Sequence, residues 1–135
     1  MGIFLLSKFY KYILRIQFFL YIWTEVVQKI MQVEKSFGET IRDLRIENHL
    51  TLRQVADHLK IDTSMLGKIE KNSRNPSKQF IKDISNLFSI DEDLLTVAHL
   101  SDTVAYSILD EELANEVLKV AEEKINYYNK NKATQ

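Results

Sequence analysis

The sequence predicts an all-α protein, and three observations support that fold class. The 135 residues include only three glycines and one proline, which leaves little turn chemistry for a sheet. No convincing run of alternating hydrophobicity marks a strand. Apolar residues recur instead at steps of three and four, as on helices with one buried face. We divide the chain into an apolar N-terminal segment (1–33), a compact domain (34–100) and a helical extension (101–135).

Residues 1–33 differ in composition from the rest of the chain. Eight of the fourteen aromatic residues lie within residues 1–30, together with a single acid, Glu25. Three cations interrupt the apolar run: Lys8, Lys11 and Arg15. The uncharged stretches are therefore far below the roughly 20 residues that cross a bilayer, and the parts of a signal sequence do not occur in order.

Three interpretations of this segment stay open. Lys8, Lys11 and Arg15 share one helix face, which fits an amphipathic helix at a membrane surface. The segment could also be a helix that packs on the domain or on a partner. In the third interpretation, which we favour, the protein starts at Met31 and the upstream residues are an over-extended translation.

Residues 34–100 are predicted to form five short helices, enough for marginal independent stability. The first helix carries Phe37, Ile41 and Leu44 on its apolar stripe, with Leu50 after it. Ser77 and Asp91 are suitable N-caps for the fourth and fifth helices. The predicted core residues of these two helices are Phe80, Ile81, Ile84, Leu87 and Phe88, then Leu94, Leu95 and Val97.

The second and third helices of the domain carry most of the information about function. Thr51 and Gln54 form a capping box, which predicts that the second helix begins at Leu52. Its buried stripe is Leu52, Val55, Ala56 and Leu59. After the turn Lys60–Asp62, in which Asp62 is the expected N-cap, Leu66 and Ile69 are the inward residues of the third helix. Its outer face holds Thr63, Ser64, Gly67, Lys68 and Lys71.

Two helices joined by so short a turn must cross steeply, so the second projects its polar face outward. This arrangement is typical of a helix-turn-helix that enters a DNA major groove. The charge distribution agrees. Six cations and two acids lie in residues 60–82, whereas residues 83–123 hold eleven acids and one lysine. A basic patch beside an acidic remainder favours a protein that turns one face toward a polyanion.

The extension is predicted to begin with a short helical piece, Asp102–Leu109, followed by a longer helix from Asp110. An apolar stripe follows at three- and four-residue steps: Leu113, Val117, Val120, Ala121, Ile125 and Tyr128. The stripe either folds back on its own domain or forms a two-fold homodimer interface, because a helix-turn-helix usually binds duplex DNA as a dimer. The polar end, residues 126–135, is expected to fray.

The sequence offers no support for an enzyme, a metal site or a cofactor. Its histidines, His49, His58 and His99, show no ligand spacing, and no nucleophile elbow or phosphate loop is present. The absence of cysteine excludes disulfides and thiolate zinc sites, and a reducing cytoplasm, where we expect the protein, is compatible with it.

Residues 37–100 resemble the phage-repressor or Cro-like helix-turn-helix family, often called XRE-type regulators. The resemblance is carried by Arg45, the Val55-Ala56 pair, Ile69-Glu70 and the loop Arg74–Ser77. It implies a five-helix, lambda-repressor-like DNA-binding domain in a bacterial or phage regulator, and some small regulators of this type control restriction-modification operons. It also implies an ion pair between Arg45 and Glu70.

DNA contacts are expected from two groups of residues. The exposed N-terminal half of the third helix enters the groove first, so it should read bases, with Thr63, Ser64, Gly67 and Lys68. Phosphate contacts are expected from Arg53, Lys71, Asn72, Arg74, Asn75 and Lys78. The chain departs from the family at Lys60, His49 and Asn72, where glycine is usual, and at Leu52, where a phosphate-binding glutamine is common.

A second function stays open: an antitoxin-like module that binds a partner protein and regulates its own operon. Its acidic C-terminal helices or its aromatic N-terminus would hold that partner. No membrane partner is expected, although a membrane-tethered regulator that uses residues 1–30 also stays open.

Overall fold

The structure is a computed structural model that describes residues 2–30 and 32–132, with side chains for 10–28, 30 and 32–132. Met31, the suggested alternative start, lies outside the described residues. Within the described part of the chain every regular element is an α-helix. The helices are α1 (Gly2–Ile30), α2 (Phe37–Glu47), α3 (Leu52–Leu59), α4 (Thr63–Glu70), α5 (Lys78–Phe88), α6 (Glu92–Ile108) and α7 (Ala114–Lys132).

The chain divides into two compact units, Met1–Leu100 and Ser101–Gln135. The first unit contains α1 to α5 and the N-terminal part of α6. The second contains the end of α6 and all of α7. The three-part division made from the sequence stays a prediction.

The hydrophobic core of the first unit is built from the apolar stripes of its helices. Its largest fully buried side chains come from α2, α3, α4, α5 and α6: Ile41, Val55, Leu66, Ile69, Ile84 and Leu95. Phe37, Leu44, Ala56 and Leu59 are also buried, which confirms most of the stripes predicted for α2 and α3. Leu50 and Leu52 are only half-buried and pack against the core. The periodicity therefore identified which face of each helix packs inward.

The helix α1 contributes little to this core. Its last residue, Ile30, is 3% exposed and belongs to the buried cluster, whereas Phe18, Phe19 and Trp23 are more than half exposed. Among the described residues, no helix combines the length and the apolar character that crossing a membrane requires.

Four helices of the first unit end with a residue other than glycine in the left-handed conformation. These residues are His49, Lys60, Asn72 and Ser89, with φ between 53° and 57°. In each case the next amide donates back to a carbonyl five residues earlier, for example Ile61 N–H to Ala56 O at 3.0 Å. This is the Schellman arrangement, which glycine usually adopts without strain. The four turns therefore adopt the left-handed conformation without glycine.

The predicted caps are confirmed at three helices and corrected at one. Thr51 and Gln54 form the capping box of α3, Ser77 Oγ accepts the Phe80 amide at 3.1 Å, and Asp91 Oδ1 accepts the Leu94 amide at 3.0 Å. Asp62 holds the N-cap position of α4, but its side chain makes no capping bond. Its backbone carbonyl accepts the amides of Met65 and Leu66 at 3.0 and 3.1 Å.

Three predictions for the C-terminal third were wrong. Val97 is 49% exposed, and Ala98 is buried in its place. The fifth helix of the domain does not stop near residue 100, because α6 runs unbroken to Ile108 and no glycine or proline interrupts it. The last helix begins at Ala114 rather than Asp110 and extends to Lys132. The fraying expected for residues 126–135 stays a prediction, and residues 133–135 lie outside the described part.

Candidate nucleic-acid interface

The helices α3 and α4, joined by Lys60–Asp62, form a helix-turn-helix. The Thr51 side chain accepts from the Gln54 amide at 3.2 Å, and the Gln54 side chain accepts from the Thr51 amide at 2.8 Å. This cap fixes the start of α3. Lys60, in the left-handed conformation, ends α3 and turns the chain toward α4. Ala56, which is fully buried, allows the two helices to approach closely.

The inner face of α4 anchors it in the core. Leu66 and Ile69 are almost completely buried, and Met65 packs partly buried against the same cluster. The residues predicted to read bases lie on the other side: Thr63, Ser64 and Lys68 are exposed, and Gly67 is half-buried. The structure thus presents the polar face of α4 outward, as the helical periodicity predicted.

A buried ion pair ties the end of α4 to α2. Arg45 Nε and Nη2 donate to the two carboxylate oxygens of Glu70 at 2.7 and 2.9 Å. Arg45 Nη1 also donates to the carbonyl of Leu50 at 3.1 Å. The pair that the family resemblance implied is therefore present, and its hydrogen bonding to Glu70 raises the pKa of Arg45 above its ordinary value. Such a bidentate contact fixes orientation as well as distance.

The same pair shapes the charge of the exposed surface. Glu70 is the only acid within α4, and its side chain is 6% exposed, with its charge met by Arg45. Lys68 and the C-cap Lys71 remain exposed. The solvent-facing side of α4 therefore carries cations without a competing carboxylate of its own helix.

Asn72 has a structural role that the sequence reasoning missed. Its Oδ1 accepts the Gly38 amide at 3.1 Å, and its Nδ2 donates to Ser36 Oγ at 2.6 Å. The side chain thus joins the left-handed end of α4 to the first turn of α2. Asn72 was also predicted to contact phosphate; the residue is exposed, and that contact stays a prediction.

Gly38 makes this junction possible. A Cβ at this position would stand 2.5 Å from Asn72 Oδ1 and 2.8 Å from the Glu70 carbonyl oxygen, and would also meet the Ile69 carbonyl. The sequence does contain a signal for this junction. Ser36 and Glu39 form a capping box, which marks the start of a helix, and Gly38 lies inside it. Glycine is common where another segment of backbone approaches closely.

Gly67 differs from Gly38 because its surroundings leave room for a side chain. The nearest atom to an added Cβ is Leu52 Cδ2 at 3.6 Å, an ordinary van der Waals distance. Packing within the domain therefore does not require glycine there. Any requirement must come from what approaches the outer face of α4.

The remaining residues of the predicted phosphate group are all exposed. They lie at the start of α3, at the end of α4, in the loop that follows and at the start of α5: Arg53, Lys71, Arg74, Asn75 and Lys78. Arg53 lies 3.8 Å from Asp57 one turn later, with both side chains largely solvated. A pair of this kind holds the arginine only weakly.

No group of histidine, aspartate and glutamate among the described residues could hold a metal ion. Of the histidines, His99 packs its ring on Phe37, with the ring centroids 5.3 Å apart. That contact is a packing role within the first unit.

The predicted dimerisation residues lie on α7 or just before it. Leu113, Val117, Val120, Ala121 and Ile125 are all exposed. No residue of α7 is buried, so this apolar stripe is uncovered in the single chain.

Comparison with known proteins identifies the central part of the chain. Residues 38–98 of the 135 match a family described as a helix-turn-helix domain, and this range contains α3, α4 and their turn. No curated protein and no solved structure matches the chain. The match supports a helix-turn-helix domain in this range, a type of domain that suggests a DNA-binding regulator.

Proposed function

We propose that the protein is a sequence-specific, double-stranded DNA-binding transcriptional regulator of the XRE type, which binds a short inverted repeat as a dimer in the cytoplasm. The observation that carries this proposal is the outward face of α4. It is polar and cationic, and its one carboxylate is turned inward to Arg45. A rigid helix with this surface suits the major groove.

Base recognition is assigned to the exposed N-terminal half of α4. The hydroxyls of Thr63 and Ser64 can donate to or accept from base edges, and the Thr63 methyl can contact a thymine methyl. Lys68 can reach guanine or a phosphate. The missing side chain of Gly67 allows the helix backbone to approach the DNA closely.

Phosphate contacts are assigned to the exposed residues around α4: Arg53, Lys71, Arg74, Asn75 and Lys78. Contacts of this kind position a protein on the duplex and do not read sequence. The loop residues Arg74 and Asn75 directly precede Pro76, which restricts the backbone there.

The first experiment is selection of bound duplexes from a random DNA pool by the full chain. We expect an enriched inverted repeat whose half-sites are separated by about one helical turn, about 34 Å. Failure to enrich any sequence, with retained salt-sensitive binding, would contradict sequence specificity. Absence of binding at low salt would contradict the function altogether.

Substitutions separate the two classes of contact. We expect Arg74→Ala to weaken binding to all sequences similarly and to lower the slope of log affinity against log salt by about one unit. Thr63→Ala should instead lower the preference for the selected repeat over unrelated DNA. Lys119→Ala, on α7, is the matched control and should change neither quantity. A loss with Arg74→Ala that is confined to the selected sequence would contradict the phosphate role.

A second candidate function is favoured by α1, whose described aromatic side chains are exposed. An apolar surface of this kind fits a partner protein, as in an antitoxin that also regulates its operon. Purification from the native host distinguishes the two. A small protein that co-purifies in stoichiometric amount, and is lost with Phe18→Ser and Phe19→Ser, would favour the antitoxin function. A regulator that controls a restriction-modification operon requires no such partner protein.

A further inference from the structure

The surface of α7 carries a shallow hollow of about 390 Å³ lined by residues of one helix face. The lining residues, which we call the α7 face, are Leu113, Glu116, Val117, Val120, Ala121 and Lys124. Leu113, Val117 and Val120 are 64%, 45% and 49% exposed. Burying apolar area of this kind is favourable, so the face is suited to a contact with another molecule.

The two charges of the α7 face are placed symmetrically about Val120. Glu116 precedes Val120 by four residues, and Lys124 follows it by four. At a rise of about 1.5 Å per residue, each charge stands about 6 Å along the helix from Val120, in opposite directions. Among the described residues, neither charge has an ion-pair partner in its own chain.

This symmetry makes the face complementary to itself in one orientation only. A second α7 that ran parallel in the same register would place Glu116 beside Glu116 and Lys124 beside Lys124. An antiparallel α7 would place each Glu116 at the height of the other chain's Lys124. In a two-fold interface every contact occurs twice, so one complementary pair becomes two.

We propose that α7 packs antiparallel on α7 of a second copy of this chain, with the two-fold axis beside Val120 and Glu116 paired with Lys124 across it. This inference rests on the proposed function, to which it adds the surface and geometry of the dimer. Ala121, next to the axis, has a small side chain that allows two helices to approach to about 8–10 Å. The apolar residues supply the contact area, and the two charge pairs select the orientation.

The test is a charge-reversal cycle on the full chain, read by sedimentation equilibrium without DNA. Glu116→Lys and Lys124→Glu should each weaken the dimer about tenfold, because each change turns two attractive contacts into two repulsive ones. The double variant should return to within about threefold of the natural chain, since its pairs are opposite again. The controls Glu122→Lys and Lys119→Glu reverse charges of α7 away from the face and should leave the dimer unchanged.

Mixing the two single variants gives an independent readout. In an antiparallel pair of one Glu116→Lys chain with one Lys124→Glu chain, both contacts join opposite charges, so the mixture should form heterodimers in preference to either homodimer. Recovery on mixing also shows that the single variants are folded.

Several results would overturn this geometry. One is a natural chain that stays monomeric at tens of micromolar. Another is that the single variants dimerise as tightly as the natural chain, as a parallel pair of helices would allow. A third is that the double variant dimerises no more tightly than the single variants. Duplex binding is measured separately on a single half-site. If half-site binding is retained with any of these results, the α7 interface is rejected but the proposed regulator function is not. If the charge-reversal variants behave as expected but the chain does not bind DNA, the regulator function is rejected but the interface is not.

Discussion

At Glu70 the chain places a carboxylate at the C-terminal end of a helix, where the helix dipole disfavours negative charge. The side chain is also 6% exposed, so its charge has lost most of its hydration. Arg45 compensates for both costs with two hydrogen bonds and its own charge. The pair therefore stabilises a carboxylate at a position that would otherwise disfavour it.

We predict that Arg45→Ala lowers the free energy of unfolding by about 3–5 kcal/mol, because it leaves a buried charge without a partner. Arg45→Lys should recover only part of this loss, since lysine cannot make the bidentate contact and the bond to the Leu50 carbonyl together. Urea denaturation at neutral pH measures both. The exposed Lys35–Asp43 pair is the control, and Lys35→Ala should cost about 1 kcal/mol or less. Equal losses for Arg45→Ala and Lys35→Ala would contradict the structural role of the buried pair.

Glu39 gives a prediction about pH. Hydrogen bonds from the Ser36 backbone amide, and then from its side chain, lower the pKa of Glu39 below its ordinary value of 4.5. A carboxylate whose pKa is lowered by folding contributes stability above the unfolded value and loses it as pH falls through the folded value. Glu39→Gln should therefore lose less stability than the natural chain between neutral pH and pH values below 4.5. Thermal denaturation across that range tests this, and parallel curves for the two proteins would refute it.

At the scale of elements, α4 is held by three separate contacts. Leu66 and Ile69 pack in the core, Arg45 binds Glu70, and Asn72 joins the end of α4 to Ser36 and Gly38 at the start of α2. These contacts run from the middle of α4 to its C-terminal end and join it both to the core and to α2. Its outer face is left for binding.

The two helical glycines near this junction should respond oppositely to the same substitution. Gly38→Ala forces a Cβ against backbone carbonyls of α4, so we expect a large loss of stability, about 2 kcal/mol or more. Gly67→Ala meets only Leu52 at 3.6 Å and should stabilise the domain by about 1 kcal/mol through helix propensity. Denaturation of the two variants under identical conditions gives the comparison.

The Gly67→Ala protein also tests the DNA contact. Because it is expected to be more stable than the natural chain, weaker DNA binding by this variant cannot come from unfolding. We expect weaker binding to the selected repeat if α4 enters the groove as proposed, since the added methyl group would separate the helix backbone from the bases. Unchanged affinity would remove Gly67 from the base-reading residues.

At the scale of the whole molecule, the buried apolar core lies entirely in the first unit, and every described residue of α7 is at least partly exposed. A helix without buried residues depends on an external contact for much of its stability. The structure thus separates a unit that has a buried apolar core from a last helix that has no buried residue.

We predict that truncation after Leu109 leaves the unfolding midpoint of the domain unchanged within a few degrees at low protein concentration. The same truncation should abolish the concentration dependence of that midpoint, which a dimer shows by mass action. Differential scanning calorimetry at two concentrations measures both effects. A large drop of the midpoint at the lower concentration would show that α7 supports its own domain, the alternative that the sequence left open.

The inward faces of α2 to α5, the caps at Thr51, Ser77 and Asp91 and the outward residues of α4 could be predicted because each depends on local periodicity or on a side chain within three residues. Val97, the unbroken α6 and the role of Asn72 could not. Whether α6 stops at residue 100 depends on packing, since its sequence contains no breaker, and the partners of Asn72 lie 34 and 36 residues earlier in the chain.

By itself, the sequence determined the helical fold class, the helix-turn-helix and the cationic outer face of α4, because helix periodicity and capping are short-range properties. Only the tertiary structure decided that Gly38 and Asn72 form a junction, that Gly67 has room for a side chain, and that α7 is uncovered in the single chain. These facts depend on distances between segments far apart in sequence, which local patterns of residues do not encode.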